Sequence, residues 1–391
     1  MLSVLAAVAM ATGQEPAARE MKLTEPGGKP PRLSLYVREI ALDPPKLSPK
    51  LFGDPPDRWQ FDWVASSFGP DDDAPTDPQT GEKQGRIRFR VYSQVKKRDY
   101  DYTVLIARQG IRMWDVLYNK YRIRHQDVYN NGIVDFYVCF GGEAGGEFVR
   151  GEEIVKGQPV KVSTAYIYDV RSFTKPVEMA REVAHEYGHA VLPAVAGYTS
   201  PEFWANGYLG ERFFMRILRD QMVRGVIGPD DVMGATLPQM EAWVKQNVDT
   251  HVIKASSGAP SVKQLEDKGK PGMDTYIGLV LYADTIFPAS VVRRSMQLMG
   301  SQNAADYPNA LLMATQEMPK ITLAIPAYLK NKPIWIPVGN GKVAQAQVLK
   351  KDGDWQQVLP QAGGVVITTG KGALLWKHEL PGPDVVISPS K

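Results

Sequence analysis

Cysteine is all but absent: among 391 residues there is one, Cys139, set in the apolar run VDFYVCF. A single thiol forms no internal disulfide, so the fold must rest on packing, and its neighbours make Cys139 a buried core thiol. Also missing is any apolar run near the roughly 18 residues that span a bilayer, which argues against stable membrane insertion. Charge of one sign is lacking too. The 46 basic and 43 acidic residues are interspersed and leave a formal net charge of +3. That offers neither the basic stripe a nucleic-acid partner needs nor a polybasic membrane patch. No repeat of solenoid or propeller period recurs. Histidine is scarce, five in all, and two of the five stand four residues apart.

The order of local patterns divides the chain. Leu2 to Ala11 is a short apolar stretch closing on small-x-small Ala9-Met10-Ala11. It lacks a basic start, yet it reads as a signal peptide over 1–11, implying a secreted or periplasmic protein. Residues 12–85 are rich in Pro, Gly and Asp, with short apolar pieces such as LSLYVREIAL and WQFDWVASSF. They predict an irregular, β-rich region with an exposed loop over Gly69 to Gly85. From 86 the patterns become regular. RIRFRVYSQV alternates with period two, a strand. Tyr102 to Tyr121 has helical spacing, and Ile133 to Phe140 is a buried strand. GGEAGGEFVRGEE reads as a Gly-rich loop without a phosphate-binding ending, and Val160 to Val170 as another alternating strand. Pro176 opens a helix, with Glu178 suiting its positive end. A second helix should begin near Ser200-Pro201. Further helices are predicted around Pro238 to Val248, Met273 to Phe287 and Ala289 to Met299. From 331 to 391 short strands return as a small C-terminal β-module. Strands and helices in this mixed order give an α+β chain.

The first of those helices carries HEYGH. His185 and His189, four apart, share one face a turn apart and can pinch a metal ion. Glu186 sits roughly 100° around the helix, placed to reach a metal-activated water as general base rather than the metal itself. Chance yields such a motif in on the order of one chain per hundred of this length, so its context must carry weight as well. The flanking apolar residues Val183, Ala184, Ala190, Val191 and Leu192 predict a largely buried helix. Two buried histidines with a glutamate between them need partners.

The order strand, HExxH helix, second helix resembles the zincin metallopeptidases, and within them the gluzincins with their peptidase MA-like domains. In those domains the motif is followed by a segment reading roughly Pro-x-Trp-x-x-Glu-Gly, whose Glu is the third zinc ligand. Pro201, Phe203, Asn206 and Gly207 match that register here, with Trp204 displaced by one. The close match is confined to residues 185–214; the order of elements extends it over 86–330. The resemblance implies a zincin-like domain over 86–330, a bound Zn2+, a peptide or protein substrate, and an edge strand at Val162 to Asp169 that binds an extended peptide by β-addition. It also implies an oxyanion-stabilising tyrosine in the next helix. Tyr276 is the candidate, with Tyr282 competing.

Asn206 departs from the pattern, for a neutral amide is a weaker zinc ligand than a carboxylate. Two acids are near. Glu202 stands at the expected helix start. Glu211 lies on the second helix, about 140° from Asn206 if that helix is regular, unless Gly207 or Gly210 distorts it. Glu211 is favoured as third ligand, narrowly over Asn206. The leading reading is a zinc metallopeptidase with Glu186 as base. The alternatives are a non-catalytic peptide- or glycan-binding protein on a zincin scaffold, and a structural metal site.

Overall fold

The computed structural model describes residues 100–123, 134–155, 158–318, 320–329 and 331–337, with the flanking strand segments 19–22, 34–37, 39–42, 59–66, 86–94, 346–349, 355–358, 360–361, 364–368, 374–378 and 384–389. The apolar stretch Leu2 to Ala11 and the loop Gly69 to Gly85 lie outside these. Helices and a mixed sheet together make an α+β chain. Among the described residues no helix is long and apolar enough to cross a membrane.

One compact unit takes in Met1–Tyr118, Arg124–Val191 and Phe213–Glu241. Its frame is a six-stranded sheet of β1 (Glu39–Leu42), β2 (Trp59–Ser66), β3 (Arg86–Gln94), β4 (Val134–Val138), β5 (Gly145–Val155) and β6 (Gln158–Tyr168), in the order β1-β2-β3-β4-β6-β5. β4 runs parallel to both β3 and β6. Every residue of VDFYV is buried accordingly, as a central strand covered on both faces requires. Cys139 follows it, fully buried.

Two sequence expectations are corrected here. GGEAGGEFVRGEE is not a loop throughout: from Gly145 onward it is β5, paired antiparallel with β6 from Gly145↔Tyr168 to Val155↔Gln158. Among the described strands, β5 pairs with β6 alone. The expected edge strand is therefore not the edge. β6 is held between β4 and β5, and β5 borders the sheet.

Helix α1 (Tyr100–Val116) packs on β3, its Gly110 so close that an added Cβ would stand 3.2 Å from the Phe89 ring. It runs into a π-helical turn, Leu117–Tyr121. Helix α2 (Pro176–Val191) starts at the expected proline with Glu178 in its first turn. Gln109 Nε2 donates to the Ala180 carbonyl at 2.7 Å, joining α1 to α2. On the sheet side the Tyr187 ring meets Phe89 edge-on at 5.4 Å. Arg108 and Arg112 both reach the buried Asp231.

The other unit comprises Asn119–Ile123, Leu192–Arg212 and Ala242–Lys391. Helix α3 (Ala205–Val223) begins five residues later than Ser200-Pro201 suggested. Trp204 instead bridges Ala196, and the Ala205 amide donates to Val195, so the preceding residues are spent on a tight loop. The helical stretch expected around Pro238 to Val248 forms as α4 (Leu237–Val244) and a π-helical turn, Lys245–Asp249, beyond which a further helix, α5 (Thr250–Ser256), follows. Then come α6 (Val262–Glu266), α7 (Lys270–Ile286), α8 (Ala289–Leu298) and α9 (Tyr307–Gln316). The C-terminal strands form as expected. Their five-stranded sheet also draws in Lys320–Ile325, parallel to Asp384–Pro389.

Candidate metal centre

Helix α2 buries its apolar face, and the HExxH residues go down with it. His185 is 7 % exposed and Glu186 1 %. The imidazoles of His185 and His189 face each other a turn apart, centroids 5.0 Å apart and planes at 72°. That is the outcome an i, i+4 pair on one helical face demands.

Strand β5 lines this helix. Its residues alternate between faces, and three on one face meet α2 in turn. Gly146 abuts the carboxylates of Glu186 and Glu182. The ring of Phe148 stacks on His189. Arg150 donates from Nη2 to the His189 carbonyl, with its guanidinium 5.5 Å from the Phe148 ring centre. The intervening Glu147 accepts instead from the Tyr168 hydroxyl at 2.9 Å. Burial, and then that carboxylate, push the Tyr168 hydroxyl far above the usual tyrosine range.

The third donor comes from the loop between α2 and α3. There Tyr198 N donates to Phe203 O, Ala196 bridges Trp204, and Thr199 N donates to Lys268 O at 2.7 Å. Glu202 stands in that loop. One donor atom each from His185, His189 and Glu202 lie within 4.8 Å of one another, close enough to hold a metal ion. Glu186, beside the first histidine, is not one of the three.

Neither residue favoured from the sequence as third ligand belongs to this group. Helix α3 is uninterrupted through Gly207 and Gly210, so the distortion that would have brought Glu211 onto the Asn206 face does not occur. Glu211 is buried and takes Arg212 Nη1 at 2.5 Å, and the same guanidinium donates to the Tyr208 carbonyl. Asn206 is buried at the start of α3, its Nδ2 3.4 Å from the Leu192 carbonyl. Asn206 was aligned by its register in the sequence motif, which does not fix where the helix begins. With the helix beginning at Ala205, Glu202 is freed from it.

Tyr276 on α7 is fully buried, edge-on to Tyr307 with centroids 5.8 Å apart. Its hydroxyl meets no hydrogen-bond partner among the described residues. Burial, then Tyr307 and Tyr198, hold that hydroxyl well above its usual range. Tyr282, its competitor, donates to the Trp335 carbonyl at 2.5 Å and serves the core. His251 is half-buried on a cavity of about 410 Å³ lined also by Lys254, Gln264 and Asp274.

No protein-family model matches this chain, and no curated protein does.

Proposed function

We propose that this protein is a zinc-dependent hydrolase of peptide bonds on a zincin-like, gluzincin-type domain, with Glu186 as its general base. The observation that carries the reading is the donor group itself, His185, His189 and Glu202 within 4.8 Å of one another with Glu186 adjacent and outside it. Two neutral imidazoles and one carboxylate are the His₂Glu set of catalytic zinc, which keeps a fourth position open. Donors about 2.1 Å from one ion stand no more than about 4.2 Å apart, so the three would draw slightly closer to hold one.

A zinc ion held there would acidify a water and polarise a carbonyl. The protein's own part is then positional. His185 and His189 are held in place, the latter through the Phe148 ring and the Arg150 contact. Glu186, buried and outside the donor group, accepts the proton of the attacking water and passes it to the leaving amine. The edge of β5, which borders the sheet among the described strands, offers backbone groups to an extended peptide, the role the resemblance gives an edge strand. Tyr276 is the candidate donor to the oxyanion that forms on the scissile carbonyl. The secreted or periplasmic location suggested by residues 1–11 suits a peptide or protein substrate.

Metal analysis of protein produced in zinc-replete medium, alongside Glu186→Gln, tests this. The expected result is one zinc per chain in both, with turnover on an unfolded protein substrate lower by two or more orders of magnitude in the variant. Zinc without hydrolysis in the unaltered protein would favour the non-catalytic reading, and absence of zinc would sink both.

A further inference from the structure

Glu182 and Glu186 stand a turn apart on α2, both buried, and both carboxylates converge on one position of β5. A Cβ on Gly146 would lie 2.2 Å from Glu186 Oε1, 2.6 Å from the carboxyl carbon of Glu186 and 2.8 Å from Glu182 Oε1. Non-bonded contacts of carbon are optimal near 3.5–4.0 Å. The Glu186 carboxylate therefore occupies the volume that any side chain at 146 would fill. An exposed glutamate would swing aside at little cost, but Glu186 is 1 % exposed.

Backbone conformation does not explain the glycine. Gly145 is the one held at positive φ, +148°, with open space where its Cβ would be. Gly146 is not among the positive-φ glycines and sits in regular pairing with Ile167. Its neighbours on the same face, Phe148 and Arg150, carry large side chains, so the bare position is local to the carboxylates. Glu182 is separately engaged by Arg181 at 2.6 Å, and Glu186 is the nearer of the two to Gly146.

We infer that Gly146 is a positioning residue: the side chain it lacks fixes where Glu186 holds its carboxylate. The catalytic consequence rests on the hydrolase reading. The placement itself does not.

The test is a double-variant cycle on the full chain with Gly146→Ala, Glu186→Ala and the pair, read by thermal unfolding, metal content and hydrolysis of an unfolded protein substrate. Gly146→Ala is expected to lower Tm in the unaltered background and to lower it clearly less once Glu186 is alanine, when only Glu182 Oε1, at 2.8 Å, still stands close. Metal content should be unchanged. Turnover should fall about 100-fold or more in kcat with KM nearly constant. Gly146→Ala combined with Glu186→Asp, whose carboxylate is withdrawn by about 1.5 Å, should regain part of the kcat lost in Gly146→Ala. If Gly146→Ala fails to fold while the pair with Glu186→Ala folds, the coupling is the expected one. Equal destabilisation in both backgrounds, or full turnover in Gly146→Ala, would overturn the assignment. Should the unaltered protein hydrolyse nothing, the hydrolase reading fails and the Tm coupling alone decides the placement.

Discussion

The Phe148 ring lies over the imidazole of His189, centroids 5.9 Å apart and planes inclined at 23°. A stack of this kind limits the tilt of the histidine, while Arg150 holds its backbone carbonyl. Phe148→Ala is expected to weaken metal binding about tenfold, the lower range for partners that orient a ligand. Competition with a chelator of known affinity measures it. Unchanged affinity would mean that the helix alone orients His189.

The carboxylates at 202 and 211 should respond in opposite ways. Glu202→Gln is expected to lower metal affinity about 100-fold or more, since a ligand matters at least as much as the groups that support ligands. Glu211→Gln should leave affinity intact but cost about 3 kcal/mol of stability, because Arg212 would remain buried without its anion. Isothermal titration and denaturant unfolding separate the two. Metal loss in Glu211→Gln would return the third ligand to helix α3.

Much of this was legible because it is local. The HExxH face, the proline start of α2, the buried run of β4 and the C-terminal strands follow from short-range periodicity. Glu202 did not follow, because its position depends on where α3 begins. That start is set by the Ala196–Trp204 bridge and the Tyr198–Phe203 hydrogen bond, pairings no spacing announces. Strand β5 was hidden for a related reason. Glycine weakens a strand in isolation, and only the facing carboxylates explain Gly146.

Tyr276 carries a buried hydroxyl without a partner among the described residues. Removing such a group is nearly neutral or stabilising, so Tyr276→Phe should keep its Tm or raise it. If the hydroxyl donates to the oxyanion, kcat falls about 100-fold at constant metal content. Unchanged kcat would confine Tyr276 to the core.

His251 gives a pH dependence of fixed sign. Burial first, then Arg212, Lys270 and Lys254, lower its pKa from 6.5, with Asp274 acting the other way. The unfolded chain then takes up the proton at higher pH than the folded one. This part of the stability is complete above about pH 6.5 and declines as pH falls, down to the lowered value in the fold. Tm measured from pH 8 to 5 should show that decline, and His251→Gln should reduce it. A slope unaffected by the substitution would place the acid sensitivity elsewhere.

Burial pushes the Cys139 thiol far above its usual range, and the thiolate is the reactive form. An alkylating reagent at neutral pH should leave the native protein unmodified and label it quantitatively in denaturant, as mass spectrometry would show. Rapid labelling of the native protein would mean that β4 and its surroundings open readily.

An uncovered strand border is also an invitation to aggregate, since its row of amide and carbonyl groups can pair with another copy of itself. In β5 that hazard meets a sequence, GGEFVRGEEIV, in which glycines lower the β-propensity and charged residues interrupt the apolar ones. Such residues act as gatekeepers: they make the border a poor template for copies of itself while leaving its main-chain groups accessible. Making this strand more β-prone in order to stabilise it would therefore trade solubility for rigidity, and the first sign would be self-association rather than a higher melting temperature.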